Sequence, residues 1–165
     1  MPEHRYDRGR AVEYAHRWAF GRNPAYADFS AMGGDCTNFI SQCLHAGGAP
    51  MNHTPVTGWF YYSLSKRAPA WSGVEELCRF LVRNTGAGPY ASVAGPADMI
   101  PGDVVQLSFD GTRFSHSLFV VAAGDGDRPP TPDDILVATH SDDSDNRPLS
   151  SWIAVPRYLH IQGIR

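Results

Sequence analysis

The chain has 165 residues, 42% of them hydrophobic and 19% charged, which is enough apolar material for one compact domain over residues 1–165. A formal net charge of −3 gives no general attraction to the phosphates of nucleic acid or to anionic lipid, and 16 glycines with 13 prolines argue against an all-helical bundle. No stretch reaches the ~20 apolar residues of a membrane span, and the start Met1-Pro2-Glu3-His4-Arg5 lacks the basic-then-apolar pattern of a signal peptide. The expectation is therefore a cytoplasmic monomer, or a secreted or cell-wall protein if the chain is a mature product, an excised domain or a leaderless effector. Cys36, Cys43 and Cys78 are an odd number in no C-x-x-C spacing, so neither a disulfide framework nor a zinc knuckle is indicated.

From Tyr6 to Phe20, Ala11, Val12, Tyr14, Ala15, Trp18 and Ala19 recur at helical spacing until Gly21 and Pro24 stop the pattern. A second helix is predicted from Cys36 to Ala46, with Phe39, Ile40, Cys43 and Leu44 on one stripe and Gly47-Gly48 as its stop. A long loop from Pro50 to Ala70 carries the aromatic run Trp59 to Tyr62. A third helix starts at Ser72, which can cap its first turn with Glu75 reaching back, and buries Val74, Leu77, Cys78 and Leu81. After Gly86, short β-branched or aromatic segments at 103–107, 117–122, 135–139 and 158–164 read as strands, while Asp125 to Pro130 and Asp142 to Asn146 read as surface turns. Helices first and strands after them, with no helix between successive strands, predict an α+β fold with a largely antiparallel sheet.

Cys36 opens its helix after Gly33-Gly34-Asp35, where unpaired backbone amides and the positive dipole end favour a thiolate and could hold an oxyanion. The alternative is a small buried hydrophobe, because Cys36 shares its stripe with Ile40 and Cys43. Asp35 is expected to cap the helix with its carboxylate. A cysteine nucleophile needs a base, and His116 heads a strand from which a side chain can project toward a packed helix. If the next strand returns antiparallel, its terminal His140 lies beside His116 and can orient the imidazole; Asp142, Asp143 and Asn146, in the loop that follows, are the other candidates for that role. Trp59, Tyr61 and Trp71 could floor a substrate groove, although aromatic residues more often serve as core or loop anchors. There is no H-E-x-x-H, and Asp142-Asp143-Ser144-Asp145-Asn146 lacks the Gly and terminal Glu of a calcium loop, so neither a metal nor a cofactor is implied.

The run Gly33-Gly34-Asp35-Cys36-Thr37-Asn38-Phe39-Ile40-Ser41-Gln42-Cys43-Leu44, with Arg22-Asn23-Pro24 before it, resembles the bacterial putative amidase domain family. Gly58-Trp59, Trp71-Ser72, Pro101-Gly102-Asp103-Val104-Val105, His116-Ser117 and Ala138-Thr139-His140 extend the resemblance over nearly the whole chain. More distantly, Asp-Cys at a helix start, Pro-Gly-Asp opening a strand and His heading the next are similar to the NlpC-type cell-wall peptidases of the papain-like superfamily. Thr37-Asn38 here replaces the Ser-Gly that follows their nucleophile. The resemblance implies Cys36 as nucleophile, His116 as general base, His140 as third member, and a peptidoglycan stem peptide or related short peptide as substrate.

The leading expectation is thus a cysteine amidase or peptidase that works through a thioester acyl-enzyme. Two rivals remain open: an acyltransferase or transpeptidase using the same acyl-enzyme, and a catalytically silent domain that binds a peptide or wall fragment.

Overall fold

The computed structural model describes residues 5–165, so the reading of the chain start from Met1 to His4 lies outside the described residues. Helix α1 (Arg8–Trp18) is capped by Asp7, whose carboxylate accepts from the Arg10 N–H, and it buries the small residues Ala11 and Ala15. Helix α2 (Cys36–Ala46) is buried along nearly its whole length, which its run of Phe, Ile, Cys and Leu requires. The 50–70 loop holds a small hairpin, β1 (Tyr61–Ser63) and β2 (Lys66–Arg67), before a single helical turn, α3 (Pro69–Ser72), leads into α4 (Val74–Arg83).

The predicted capping box is not formed: Gly73 is the N-cap of α4, and Ser72 ends α3 instead. Glu75 reaches across to the sheet, accepting from the Phe114 N–H and facing Arg157. Strands β3 (Pro89–Ala94), β4 (Val104–Ser108), β5 (His116–Ala123), β6 (Ile135–Thr139), β7 (Ser144–Pro148) and β8 (Val155–Ile164) follow. They form one antiparallel sheet in the order β3-β8-β4-β5-β6-β7. The α+β class and the antiparallel sheet are as the sequence predicts, with β3 and β7 as additional edge strands. β7 includes residues read above as a surface turn.

Period-two alternation divides the strands between two apolar layers. Val104, Phe119, Val121, Ala138, Leu159 and Ile161 face α1, α2 and α4, while Val105, Leu107, Leu118, Val120 and Val137 build a second layer with Met99, Leu149 and Tyr158. The two layers are joined at the strand ends by a buried carboxylate. Gly102, at φ 97°, makes the turn into β4 and passes so close to Arg8 that a Cβ there would lie 3.0 Å from its Cγ. Asp103 follows with no exposed surface. It accepts from Arg8 Nη1 at 2.8 Å and from the N–H groups of Ile161 and Ile100 at 2.9 and 3.0 Å, and it lies 2.8 Å from His160 Nδ1. One side chain therefore ties the start of α1 to β4 and β8. Asp103→Ala leaves Arg8 and these amides without their acceptor and is expected to lower unfolding free energy by about 3 kcal/mol, read from urea denaturation.

Candidate active site

The start of α2 is built by two glycines. Gly33 and Gly34 take φ values of 98° and 113°, which side chains resist, and they turn the chain so that Asp35 enters the interior. Asp35 is the N-cap residue, yet its carboxylate makes no capping bond and is fully buried elsewhere. Oδ1 accepts from the Phe29 N–H at 2.8 Å and from Asn38 Nδ2 at 2.9 Å; Oδ2 lies 2.5 Å from His140 Nδ1 and 3.4 Å from Arg22 Nε. The expected cap is corrected accordingly: the Phe29 N–H, Asn38, His140 and Arg22 take the carboxylate, and it accepts from no backbone amide of α2.

His140 completes this cluster. Its ring stacks on Phe39 with centroids 4.1 Å apart. Nε2 lies 2.7 Å from the Trp18 carbonyl, which can only accept, so Nε2 carries a hydrogen, and Nδ1 is engaged with Asp35. Both ring nitrogens are therefore occupied, and the expected contact from His140 to His116 is absent. The register gives the reason. Phe119 pairs with Ala138, so along the two strands His116 falls in step with Thr139 and out of step with His140. The remaining candidates do not reach His116 either: Asp143 binds Arg22, Asp142 binds Arg147 and Asn146 is exposed.

Cys36 is 7% exposed and occupies the first position of α2. Its Sγ lies 3.8 Å from Thr37 Oγ1, and the backbone N–H groups of Ser117 and Thr37 are directed at it. Thr37 Oγ1 in turn lies 2.9 Å from Ser117 Oγ, which accepts from Gln106 Nε2 at 3.3 Å. The sulfur thus rests where β5 and β6 part, against the residue that follows His116. Burial raises the thiol pKa, the amides of Ser117 and Thr37 and the Thr37 hydroxyl oppose that shift, and Asp35 reinforces it. The activation expected from the helix start alone is therefore outweighed by desolvation in the resting protein.

His116 is also 7% exposed. Its Nε2 lies 3.4 Å from Thr139 Oγ1, and its ring is flanked by Phe109 and Trp152 at 6.4 and 6.1 Å. Burial, with help from Arg147 and against the pull of Asp142, pushes its pKa down to about 4, so the imidazole is neutral over the physiological range. No hydrogen bond joins Cys36 to a histidine ring among the described residues.

The proposed groove floor is corrected in part. Trp59 and Trp71 have no exposed surface and pack on each other with centroids 4.8 Å apart. Their indole N–H groups donate to Ser41 Oγ and Asn38 Oδ1, so they are core residues that brace α2. Tyr61 is half-buried and accepts from the Ala27 N–H, anchoring the loop that precedes Cys36. The sequence reading overlooked Phe109, 57% exposed beside His116, because a single aromatic in a turn carries no periodic signal. It also overlooked Thr139, adjacent to a residue it did select. The described residues contain no group of three or more His, Cys, Asp or Glu placed to hold a metal ion, and none of their helices is long and apolar enough to cross a membrane.

With this geometry in view, comparison with known proteins gives a family: residues 5–160 match the one described as "Putative amidase domain", and the chain belongs to it. It is 40% identical over 127 residues to a Bacillus subtilis (strain 168) protein named "Uncharacterized protein YhbB". That alignment covers 75% of this chain and 40% of the relative, so the chain spans well under half of the relative's length. No solved structure matches. The family name suggests amide hydrolysis.

A raised thiol pKa means that thiolate appears only at higher pH. Iodoacetamide labelling of Cys36 in the folded protein, mapped by peptide mass spectrometry, is therefore expected to accelerate only above the ordinary thiol range of about pH 8.5. Fast labelling at about pH 6 would contradict the dominance of burial at this thiol.

Proposed function

We propose that the chain is a cysteine-dependent amide hydrolase, a single domain of papain-like architecture distantly related to the NlpC-type peptidases. The observation that carries the reading is the position of Cys36: it is the first residue of α2, the Asp35 carboxylate is withdrawn from the helix start, and the sulfur is held at the strand headed by His116. Free first-turn amides are donors for a developing oxyanion, and their worth rises in a site as dry as this one.

The resting couple is a neutral thiol and a neutral imidazole, so the proton moves as the sulfur attacks. Cys36 Sγ bonds to the amide carbonyl carbon while its hydrogen passes to His116, and the carbonyl oxygen becomes an oxyanion held by helix-start N–H groups. Collapse re-forms the carbonyl and breaks the C–N bond, with His116 returning the proton to the departing amine. A water then gives its proton to His116 and attacks the thioester, releasing the acid and restoring the thiol. Phe109 and Trp152 place apolar surface beside the base, on the side where Trp59 and Trp71 cannot contribute. The substrate proposed from the family resemblance is a peptidoglycan stem peptide or a related short peptide.

Cys36→Ala is expected to abolish hydrolysis across a panel of short amides and muropeptides while the melting temperature stays within a few degrees of the parent. Retained turnover in that variant would falsify the nucleophile assignment. The pH profile follows from the base. His116 must be neutral to accept the proton, so kcat/KM is expected to rise through an apparent pKa near about 4, the couple titrating as a unit. Arg147 lowers that value and Asp142 raises it, so Arg147→Gln is expected to move the acid limb to higher pH. A limb that moves down or stays fixed would show that Arg147 does not act on the base.

A further inference from the structure

Thr139 ends β6 with no exposed surface. Its hydroxyl carries one hydrogen, for which two backbone carbonyls compete: Ser117 O at 2.8 Å and His140 O at 3.0 Å. Whichever carbonyl takes it, none is left for His116, and a lone pair of Oγ1 faces His116 Nε2 at 3.4 Å. That contact forms only if Nε2 carries the imidazole hydrogen. Among the described residues Nδ1 has no hydrogen-bond partner.

We propose that Thr139 is a positioning residue for His116: it accepts the Nε2 hydrogen and holds the imidazole in the tautomer whose Nδ1 is free to take a proton. The proposal rests on the reading of Cys36 and His116 as nucleophile and base. It transfers the orienting role from His140, whose two nitrogens are taken by Asp35 and the Trp18 carbonyl, to the residue just before it. Both carbonyls that fix the hydroxyl belong to backbone held at the β5–β6 junction, so the acceptor is set before substrate arrives. The charged groups acting on the ring, Arg147 and Asp142, make no hydrogen bond to it. They alter its proton affinity without selecting a tautomer.

The test reads the tautomer directly. In protein labelled with ¹⁵N-histidine at neutral pH, long-range ¹H–¹⁵N couplings report which ring nitrogen of His116 carries hydrogen, with the resonance assigned by its loss in His116→Gln. The expected result is the Nε2–H form in the parent and in Thr139→Ser, and a mixture of tautomers in Thr139→Val. Iodoacetamide labelling of Cys36 at neutral pH should slow by up to about tenfold in Thr139→Val, the loss of one neutral hydrogen bond of ordinary strength, and recover in Thr139→Ser. An Nδ1–H tautomer in the parent overturns the proposal, and that measurement needs no variant at Thr139 to fold. An unchanged tautomer or an unchanged labelling rate in Thr139→Val overturns it as well. Repeating the spectra in Cys36→Ala keeps the two ideas apart: turnover in that variant judges the hydrolase reading, and the His116 tautomer judges Thr139.

Discussion

The buried carboxylate of Asp35 is the constraint on which the geometry of this molecule turns. An acidic side chain without solvent contact must find its partners inside the protein, and Asp35 finds them in four different segments: hydrogen bonds with the Phe29 N–H, Asn38 and His140, and an ion pair with Arg22. Those partners bring together the loop before α2, the first turn of α2, the end of β6 and the segment after α1. The His140 ring adds the last residue of α1 through the Trp18 carbonyl. Because the carboxylate is committed to these groups it does not cap the backbone amides at the start of its own helix. An aspartate that looks in sequence like an ordinary helix cap thus shapes the site by declining to cap.

Asp103 plays a parallel part at the opposite ends of the strands, joining α1, β4 and β8. The two carboxylates thus tie helices to strands at both ends of the sheet. This arrangement explains why a nucleophile candidate and a base candidate from distant parts of the chain can both be nearly enclosed. Enclosure also has an electrostatic cost: it lifts the Cys36 thiol and depresses His116, so the resting pair is uncharged.

Much of this was legible in the sequence, and what was not follows a physical pattern. The bounds of α2 were readable because Gly33-Gly34 and Gly47-Gly48 mark both ends and an apolar stripe runs between them. Strands β4, β5 and β6 carry β-branched runs between turn residues, and their pairing was correctly inferred as antiparallel. β7 was not readable, because Ser144–Pro148 has almost no apolar side chain and is held by pairing to β6 alone. For the tryptophans the sequence left groove and core both open, and their full burial decides for the core. That Thr139, and not His140, lies against His116 is a matter of parity. Neighbouring residues on a strand face opposite sides, so proximity along the chain carries no information about which one meets His116 until the register is known.

The ends of the sheet order have a bearing on how the molecule behaves among its own copies. β7 and β3 each leave one row of backbone donors and acceptors unpaired by the sheet, the kind of edge onto which another chain can zip. β7 is short and polar, carries Asp145 and Arg147, takes a left-handed residue at Asn146 with φ 52°, and ends in Pro148; β3 begins with Pro89 and shifts register against β8 after Tyr90. Charge, proline and irregular backbone at both rims work against edge-to-edge accretion. The fold can therefore keep a six-stranded open sheet in crowded solution without closing it into a barrel.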